Sequence, residues 1–454
     1  MSKSKQAKQQ NVVDLDTLKQ INLHAAGLDI GDAEIWACVP PGRDDQSVRC
    51  FKTFTVDLHT LADWLTECGI KTVAMESTGI YWIPIFEILD DRGFEVKLVN
   101  APHLKNVPGR KSDVQDCQWI QQLHTFGLLR GSFHPDEQMR TLRAYTRHRA
   151  NLIQCRTQHI QLMQKALQLM NLKLTNVISD ITGQTGLKII RAIVAGEHNP
   201  TRLAKFRNSH CRKPETEIAK SLEGNYRPEH LFALQQALEA YDFYTRQIQT
   251  CDEQLELNYQ AAKPQLDLAQ HPLPPARRAR RDKNSPTFDL RLHLFQLTGV
   301  DLTQIDGINA LTAQTVLAEI GRDMSKWPTV KHFTSWLTLC PYQDISGGKV
   351  LNSRTKPSNN RAASALRMAA QALTHSHSPW GDYYRRMRSR HGPAKAITAA
   401  AHKLARIIYH ILKYRQPFDP DRLQRNQHQL QQRRLKRLKR QAAQLGMNLV
   451  PSST

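Results

Sequence analysis

The most constraining feature of this chain is the order in which short β-rich runs and helical patterns follow one another near its start. Apolar, β-branched runs occupy residues 23–30, 34–40, 48–54, 71–76 and 95–100, separated by polar turns. Helical patterns intervene only after the third and fourth runs. The first three strands can therefore meander as neighbours through short turns. Returning to a parallel neighbour needs a crossover connection, which the two helical segments supply. The expectation is a mixed sheet flanked by helices.

That order suits a ribonuclease-H-like fold over residues 20–132, preceded by a polar tail over 1–19. At 454 residues the chain is too long for one hydrophobic core, so two or three domains are expected. Residues 136–174 contain no Gly or Pro and carry apolar residues at helical spacing, and residues 228–262 repeat that pattern. The two predict an antiparallel coiled-coil arm within residues 133–270. A basic, Pro-rich stretch at 271–287, including Arg277, Arg278, Arg280 and Arg281, reads as a linker. A mainly helical domain over 288–418 and a basic tail over 419–454 complete the division, so the fold class is α/β plus α.

Lys and Arg exceed Asp and Glu by 22, an excess that repels itself unless a polyanion offsets it. Nucleic acid is the partner this charge points to. The eight cysteines form no C-x-x-C pair and read as reduced thiols. No run of about 20 apolar residues exists to span a bilayer, and the polar start has no apolar stretch behind it. These features place the protein in a bacterial cytoplasm or nucleoid, away from membranes.

Four carboxylates stand out. Asp29 ends the first strand in Gly27-Leu28-Asp29-Ile30-Gly31, and Glu76 ends the fourth in Val73-Ala74-Met75-Glu76. Asp113 and Asp116, three apart in Lys111-Ser112-Asp113-Val114-Gln115-Asp116, open a helix on one face. Singly, each is as well explained by a helix cap, a solvated first-turn acid or a strand end. Together they would repel and raise one another's pKa unless divalent cations neutralise them. Hard oxygen ligands select Mg2+ or Mn2+, and two such ions support in-line phosphoryl displacement, the chemistry of cutting DNA.

These three stretches, with Ser77-Thr78-Gly79-Ile80-Tyr81-Trp82 continuing the second, resemble the RuvC-like domain of DEDD transposases. Those are the insertion-sequence family IS110, which includes the pilin-gene invertases and bridge-RNA-guided recombinases. The resemblance extends over most of residues 292–415.

In the C-terminal half, residues 302–321 read as two short helices around a Gly307 turn, resembling a helix-hairpin-helix that presents backbone N–H groups to phosphate. Asn309 stands where a second glycine would be usual, and Asn tolerates a left-handed backbone. Farther on, Ser346-Gly347-Gly348-Lys349 is followed by Arg354, Lys356 and Arg361. Paired glycines let backbone approach phosphate and leave the preceding hydroxyl exposed. By spacing alone Ser346 reads as a turn residue. The resemblance implies instead that Ser346 is the nucleophile, forming a covalent 5'-phosphoserine link with metal assistance.

Trp380, Tyr383 and Tyr384 interleave with Arg385, Arg386, Arg388 and Arg390, a mixture suited to stacking on bases and holding phosphate. His375 and His377 lack a third ligand, and residues 392–414 read as a core helix rather than a site. Membership would further imply double-stranded DNA partners at element ends and target, a bridge RNA, and a dimer or tetramer with acids from one subunit and serine from another. Two other readings remain: a metal-only nuclease of the Holliday-junction resolvase type, and a noncatalytic nucleic-acid-binding protein.

Overall fold

The computed structural model describes residues 19–77, 79–100, 113–277, 282–419, 432 and 435–448. It divides into two compact units, Met1–His134 and Pro135–Thr454. Thr78, Lys111, Ser112, Arg278, Arg280, Arg281, Arg433 and Arg434, together with the polar tail before residue 19, lie outside the described residues.

In the first unit the expected strands form within two residues of their predicted ends: β1 (Ala25–Ile30), β2 (Glu34–Cys38), β3 (Val48–Lys52), β4 (Thr72–Glu76) and β5 (Glu95–Val99). Helix α1 (Thr55–Glu67) crosses from β3 to β4, α2 (Trp82–Asp91) crosses from β4 to β5, and α3 (Asp113–Thr125) follows. The sheet order is β3-β2-β1-β4-β5. The β1–β2 and β2–β3 pairs are antiparallel, and β1–β4 and β4–β5 are parallel. Period-2 alternation then sorts the side chains. Ala26, Leu28, Ile30, Val73 and Met75 bury into a large core with Leu61 and Leu65 of α1 and Ile85 and Leu89 of α2. On the opposite face Ala74 and Val99 pack with Ile120 of α3 and Leu129. Each fully buried Leu or Ile contributes roughly 1.5–3 kcal/mol, which is why the sheet is sandwiched rather than left half wet.

The second unit begins with the two long helices, α4 (Glu137–Leu169) and, after α5 (Gln184–Val194) and shorter helices, α6 (Pro228–Ala261). Asp136 caps α4, its carboxylate accepting from Met139 N at 2.9 Å. The pair runs antiparallel, since Arg149 meets Asp252 while His159 stacks on Tyr244 farther along. At the far end Met163 and Leu167 of α4, Ile189, Ile190 and Ile193 of α5, and Leu234 and Leu238 of α6 form a separate core. Near the other end, Arg143 donates to the Ala318 and Glu319 carbonyls at 2.9 and 2.7 Å, while Arg147 grips the Glu319 carboxylate at 2.8 and 2.7 Å. Those carbonyls end a helix and have no partner within it, so the arginine satisfies both hydrogen bond and helix dipole.

The Pro-rich segment is tacked down on both sides: Pro274 O accepts from Arg291 at 2.6 Å, and Lys283 pairs with Asp180 at 2.5 Å. Beyond it lie α7 (Leu290–Thr298), α8 (Ala310–Ile320), α9 (Val330–Trp336), a hairpin of β6 (Asp344–Ser346) and β7 (Lys349–Asn352), α10 (Arg361–Ala372), α11 (Pro379–His391) and α12 (Pro393–Tyr414). In the tail, residues 435–444 are helical. The hairpin escaped sequence reading because its strands are only three and four residues long. All eight cysteines are free. No helix among the described residues is long and apolar enough to cross a membrane.

Candidate active site

The parallel register of β1 and β4 pairs Gly27 with Ala74 and Leu28 with Met75. One step farther, Asp29 and Glu76 come side by side at the carboxyl ends of the two central strands. Gly27 and Asp29 share the face covered by α3, because alternate residues point the same way. Ser77 fastens this strand end, its N–H and hydroxyl both donating to Val99 O, at 2.9 and 3.1 Å.

Gly27 is what lets α3 lie against that face. A Cβ there would stand 2.3 Å from Gln121 N and 2.5 Å from Cys117 O, inside the helix backbone. Helix and strand run in opposite directions, since Ile21 and Asn22, just before β1, donate to Thr125 O at the end of α3. From Gly27 to Asp29 the strand advances about 6.6 Å. From Cys117 back to Asp113 the helix advances about 6 Å. The two distances match, so the first turn of α3 draws level with Asp29. Gly27→Ala is therefore expected to cost about 1–3 kcal/mol or more through overpacking and to impair activity by lifting α3. A wild-type melting temperature for the variant would contradict this packing.

The electrostatics follow. Asp29 is pushed up to about 6, first by burial and then by the charges of Asp116, Asp113 and Glu76 in that order. All four carboxylates thus stand within electrostatic reach of one another. Among the described residues no three His, Cys, Asp or Glu side chains converge to the distances of a finished metal cage. Asp113 is exposed, and Asp29, Glu76 and Asp116 are half-buried, so solvent and ligand can reach the group. Near the other end of α3, His124 is fully buried with its Nε2 2.9 Å from Thr72 Oγ1, and burial followed by Lys97 pushes it down to about 4. It is a neutral packing residue.

Ser346 lies in the second unit, at the tip of the β6–β7 hairpin, where it pairs with Lys349. Gly347 and Gly348 both have positive φ, 56° and 75°, the backbone of a two-residue hairpin turn that residues with a Cβ adopt poorly. Ser346, Lys349, Arg354 and Lys356 are all exposed, and Lys356 sits 4.4 Å from the Tyr342 ring. The hydroxyl of Ser346 has no hydrogen-bond partner among the described residues. Arg361, also exposed, opens α10 behind the Asn360 cap.

Two expectations need correction. Trp380 and Tyr384 are 5 % and 2 % exposed, so they are core and cannot stack on bases. Asn309 is extended, with φ −98°, and caps α8 by accepting from Thr312 N at 2.8 Å, so it does not take the left-handed backbone of a second glycine. Gly307 does have positive φ, 84°, but a Cβ there would meet Ala369 O at 2.6 Å, so close packing on α10 also requires it. Arg385 spends its guanidinium on Ser376 O and Asp382, both at 2.6 Å, whereas Arg386 is exposed.

Comparison with known families finds two matching regions in the chain. Residues 26–172, which include β4, α3 and all of β1 but its first residue, match the DEDD transposases of the IS110 type, described as transposase. Residues 301–385, which include the Ser346 hairpin, match the transposase IS116/IS110/IS902 family. The chain belongs to the IS110 family of transposases. No curated protein matches it closely. As an IS110-family transposase it is an enzyme that acts on DNA, and the basic surplus has its polyanion. Sequence reading singled out Asp29, Glu76, Asp113 and Asp116 but passed over Gly27 as anything more than part of a motif. A glycine inside a buried strand was the available signal, since it often marks a close approach of another backbone.

Proposed function

We propose that this transposase cuts and rejoins DNA through Ser346, with Asp29, Glu76, Asp113 and Asp116 as the holders of divalent metal. The convergence of four carboxylates on one corner of a mixed sheet, where burial first and then the three neighbouring acids push Asp29 up to about 6, is the observation that carries the reading. An order of β3-β2-β1-β4-β5 with β2 antiparallel to β1 supports assigning the sheet to the ribonuclease-H-like class. The donor set fits a hard cation: oxygen ligands only, mutually repelling, and partly open to solvent. Mg2+ or Mn2+ bound there would stabilise charge on the phosphate oxygens during displacement.

In the step itself Ser346 Oγ attacks a DNA phosphorus. A serine–phosphorus bond forms as the P–O3' bond breaks, leaving a 5'-phosphoserine link and a 3'-hydroxyl. The proton lost by the serine balances the one gained by the departing 3'-oxygen. Reversal with a different 3'-hydroxyl rejoins the strand. An exposed serine on a hairpin tip suits attack on a bulky duplex, and Lys349, Arg354, Lys356 and Arg361 nearby in sequence suit its phosphates. Following the family resemblance, the acids and the serine come from different subunits of a dimer or tetramer, and an RNA encoded with the element selects donor and target.

Incubating the protein with element-end DNA, Mg2+ and its co-purified RNA should yield a denaturant-resistant protein–DNA adduct at Ser346. Ser346→Ala should abolish both adduct and recombined product, a loss of at least about 10³-fold, equivalent to ~4 kcal/mol of transition-state stabilisation. An adduct mapped elsewhere would refute the mechanism. The metal-only alternative would use water as the nucleophile and would form no protein–DNA adduct. Cleavage by Ser346→Ala at the normal rate would establish that alternative.

A further inference from the structure

From Ile345 to Phe418 the chain contains a single acidic residue, Asp382, and that one is engaged by Arg385 at 2.6 Å. The charge of α11 and α12 is therefore almost purely positive, and the fold concentrates part of it. The two helices are consecutive, joined at Gly392, whose φ of 81° turns the chain back on itself. Lys403 of α12 lies over α11, its ammonium 4.3 Å from the Tyr383 ring and 5.9 Å from the Trp380 ring. Arg386 is one turn beyond Tyr383 on α11, and Arg406 is one turn beyond Lys403 on α12. Both arginines are exposed, while Lys403 and its neighbour His402 are half-buried.

No acidic side chain among the described residues pairs with Arg386, Lys403 or Arg406. Their mutual repulsion is felt at the centre: burial first, then Arg406 and Arg386, hold Lys403 below the usual lysine range. Burial, Arg406 and Lys403 likewise lower His402. Beneath the cluster the Trp380 indole N–H is buried without a hydrogen-bond acceptor among the described residues. Residues 392–414 form the expected core helix, and Lys403 and Arg406 lie outside its buried stripe. Three cations held together without a counter-charge among the described residues, one of them fixed over aromatic rings, lower the free energy of an anion placed among them.

We propose that Arg386, Lys403 and Arg406 form a phosphodiester-binding site on the α11–α12 hairpin, positioning a nucleic-acid strand by its backbone rather than its bases. This rests on the reading of the chain as a DNA-processing enzyme, but it concerns binding alone and requires no chemistry at Ser346. The strand can be DNA or RNA, since both present the same phosphates.

The test uses the full-length protein, a fluorescein-labelled DNA duplex of arbitrary sequence and an RNA duplex of the same sequence, with affinity followed by anisotropy across a salt series. For Arg386→Gln/Lys403→Gln/Arg406→Gln, the slope of log K against log salt on DNA should flatten by about 0.9 per lost contact, hence by roughly two to three. Affinity should fall at least tenfold near physiological salt, equivalent to about 1.4 kcal/mol. Ser346→Ala should keep the wild-type slope, so loss of the adduct without loss of slope separates failure of the chemistry from failure of this site. Should the triple variant melt early, Arg386→Gln/Arg406→Gln leaves Lys403 on its rings and should flatten the slope by about two. Flattening on DNA alone assigns the site to DNA, on RNA alone to RNA, and on both to either strand. An unchanged slope on both duplexes, or no binding by the unsubstituted protein, overturns the proposal.

Discussion

Asp29→Asn is expected to abolish strand cleavage while making the metal-free protein more stable at pH 8. Asp29 is held at about 6 in the fold against an ordinary 3.8, so the folded state binds its proton more tightly than the unfolded chain does. The associated stability is fully present below pH 3.8 and is lost as pH rises through 6, leaving the ionised carboxylate as a burden at pH 8. A shift of this size corresponds to about 3 kcal/mol, and solvent screening at a half-buried group reduces that to about 1–2 kcal/mol. Asparagine keeps the shape and removes the charge, so the melting temperature at pH 8 should rise by a few degrees, while at pH 4 the gain should shrink towards zero.

Mg2+ or Mn2+ should stabilise the unsubstituted protein at pH 8 and stabilise Asp29→Asn far less, because the charge being neutralised is gone. Activity should fall about 10³-fold or more, the equivalent of ~4 kcal/mol. The two readouts point in opposite directions, which a merely structural aspartate would not produce. A lower melting temperature for Asp29→Asn at pH 8 would mean that the carboxylates are not crowded as described.

The second large effect lies between the two long helices α4 and α6. Arg149 and Asp252 are 4 % and 2 % exposed and face each other across α4 and α6, and Arg149 also donates to Asn284 O at 2.9 Å. Removing one partner strands a buried charge, so Arg149→Ala or Asp252→Ala should destabilise the second unit by about 3–5 kcal/mol. Urea unfolding monitored by circular dichroism would register this as a lowered midpoint. Replacing both by Met and Leu should recover most of the loss, because a packed apolar pair avoids the cost of desolvating two ions. Equal losses for the double replacement and Asp252→Ala would show that the ion pair itself, rather than an orphaned charge, carries the stability.

The strands at Ala25–Ile30 and Thr72–Glu76 and the helices at Glu137–Leu169 and Pro228–Ala261 were legible from sequence because their signals are local. A period of two or 3.6 appears in the apolar residues themselves, and a cap such as Asp136 marks its own helix. The acid positions were legible for the same reason, as strand ends and a first helical turn. Less visible was the hairpin carrying Ser346, whose strands are too short to show alternation.

What the sequence by itself determined is the succession of elements, the positions of four acids and a serine within them, and a charge surplus that calls for nucleic acid. Only the tertiary structure decided which side chains meet. It turned Trp380 and Tyr384 inward, made Gly27 the notch that seats α3 beside Asp29, and set Lys403 over Tyr383. The reason is physical: burial, repulsion and shifted acidity depend on neighbours that are distant along the chain. Periodicity shows that a helix has an inner face, and only packing shows what that face is pressed against.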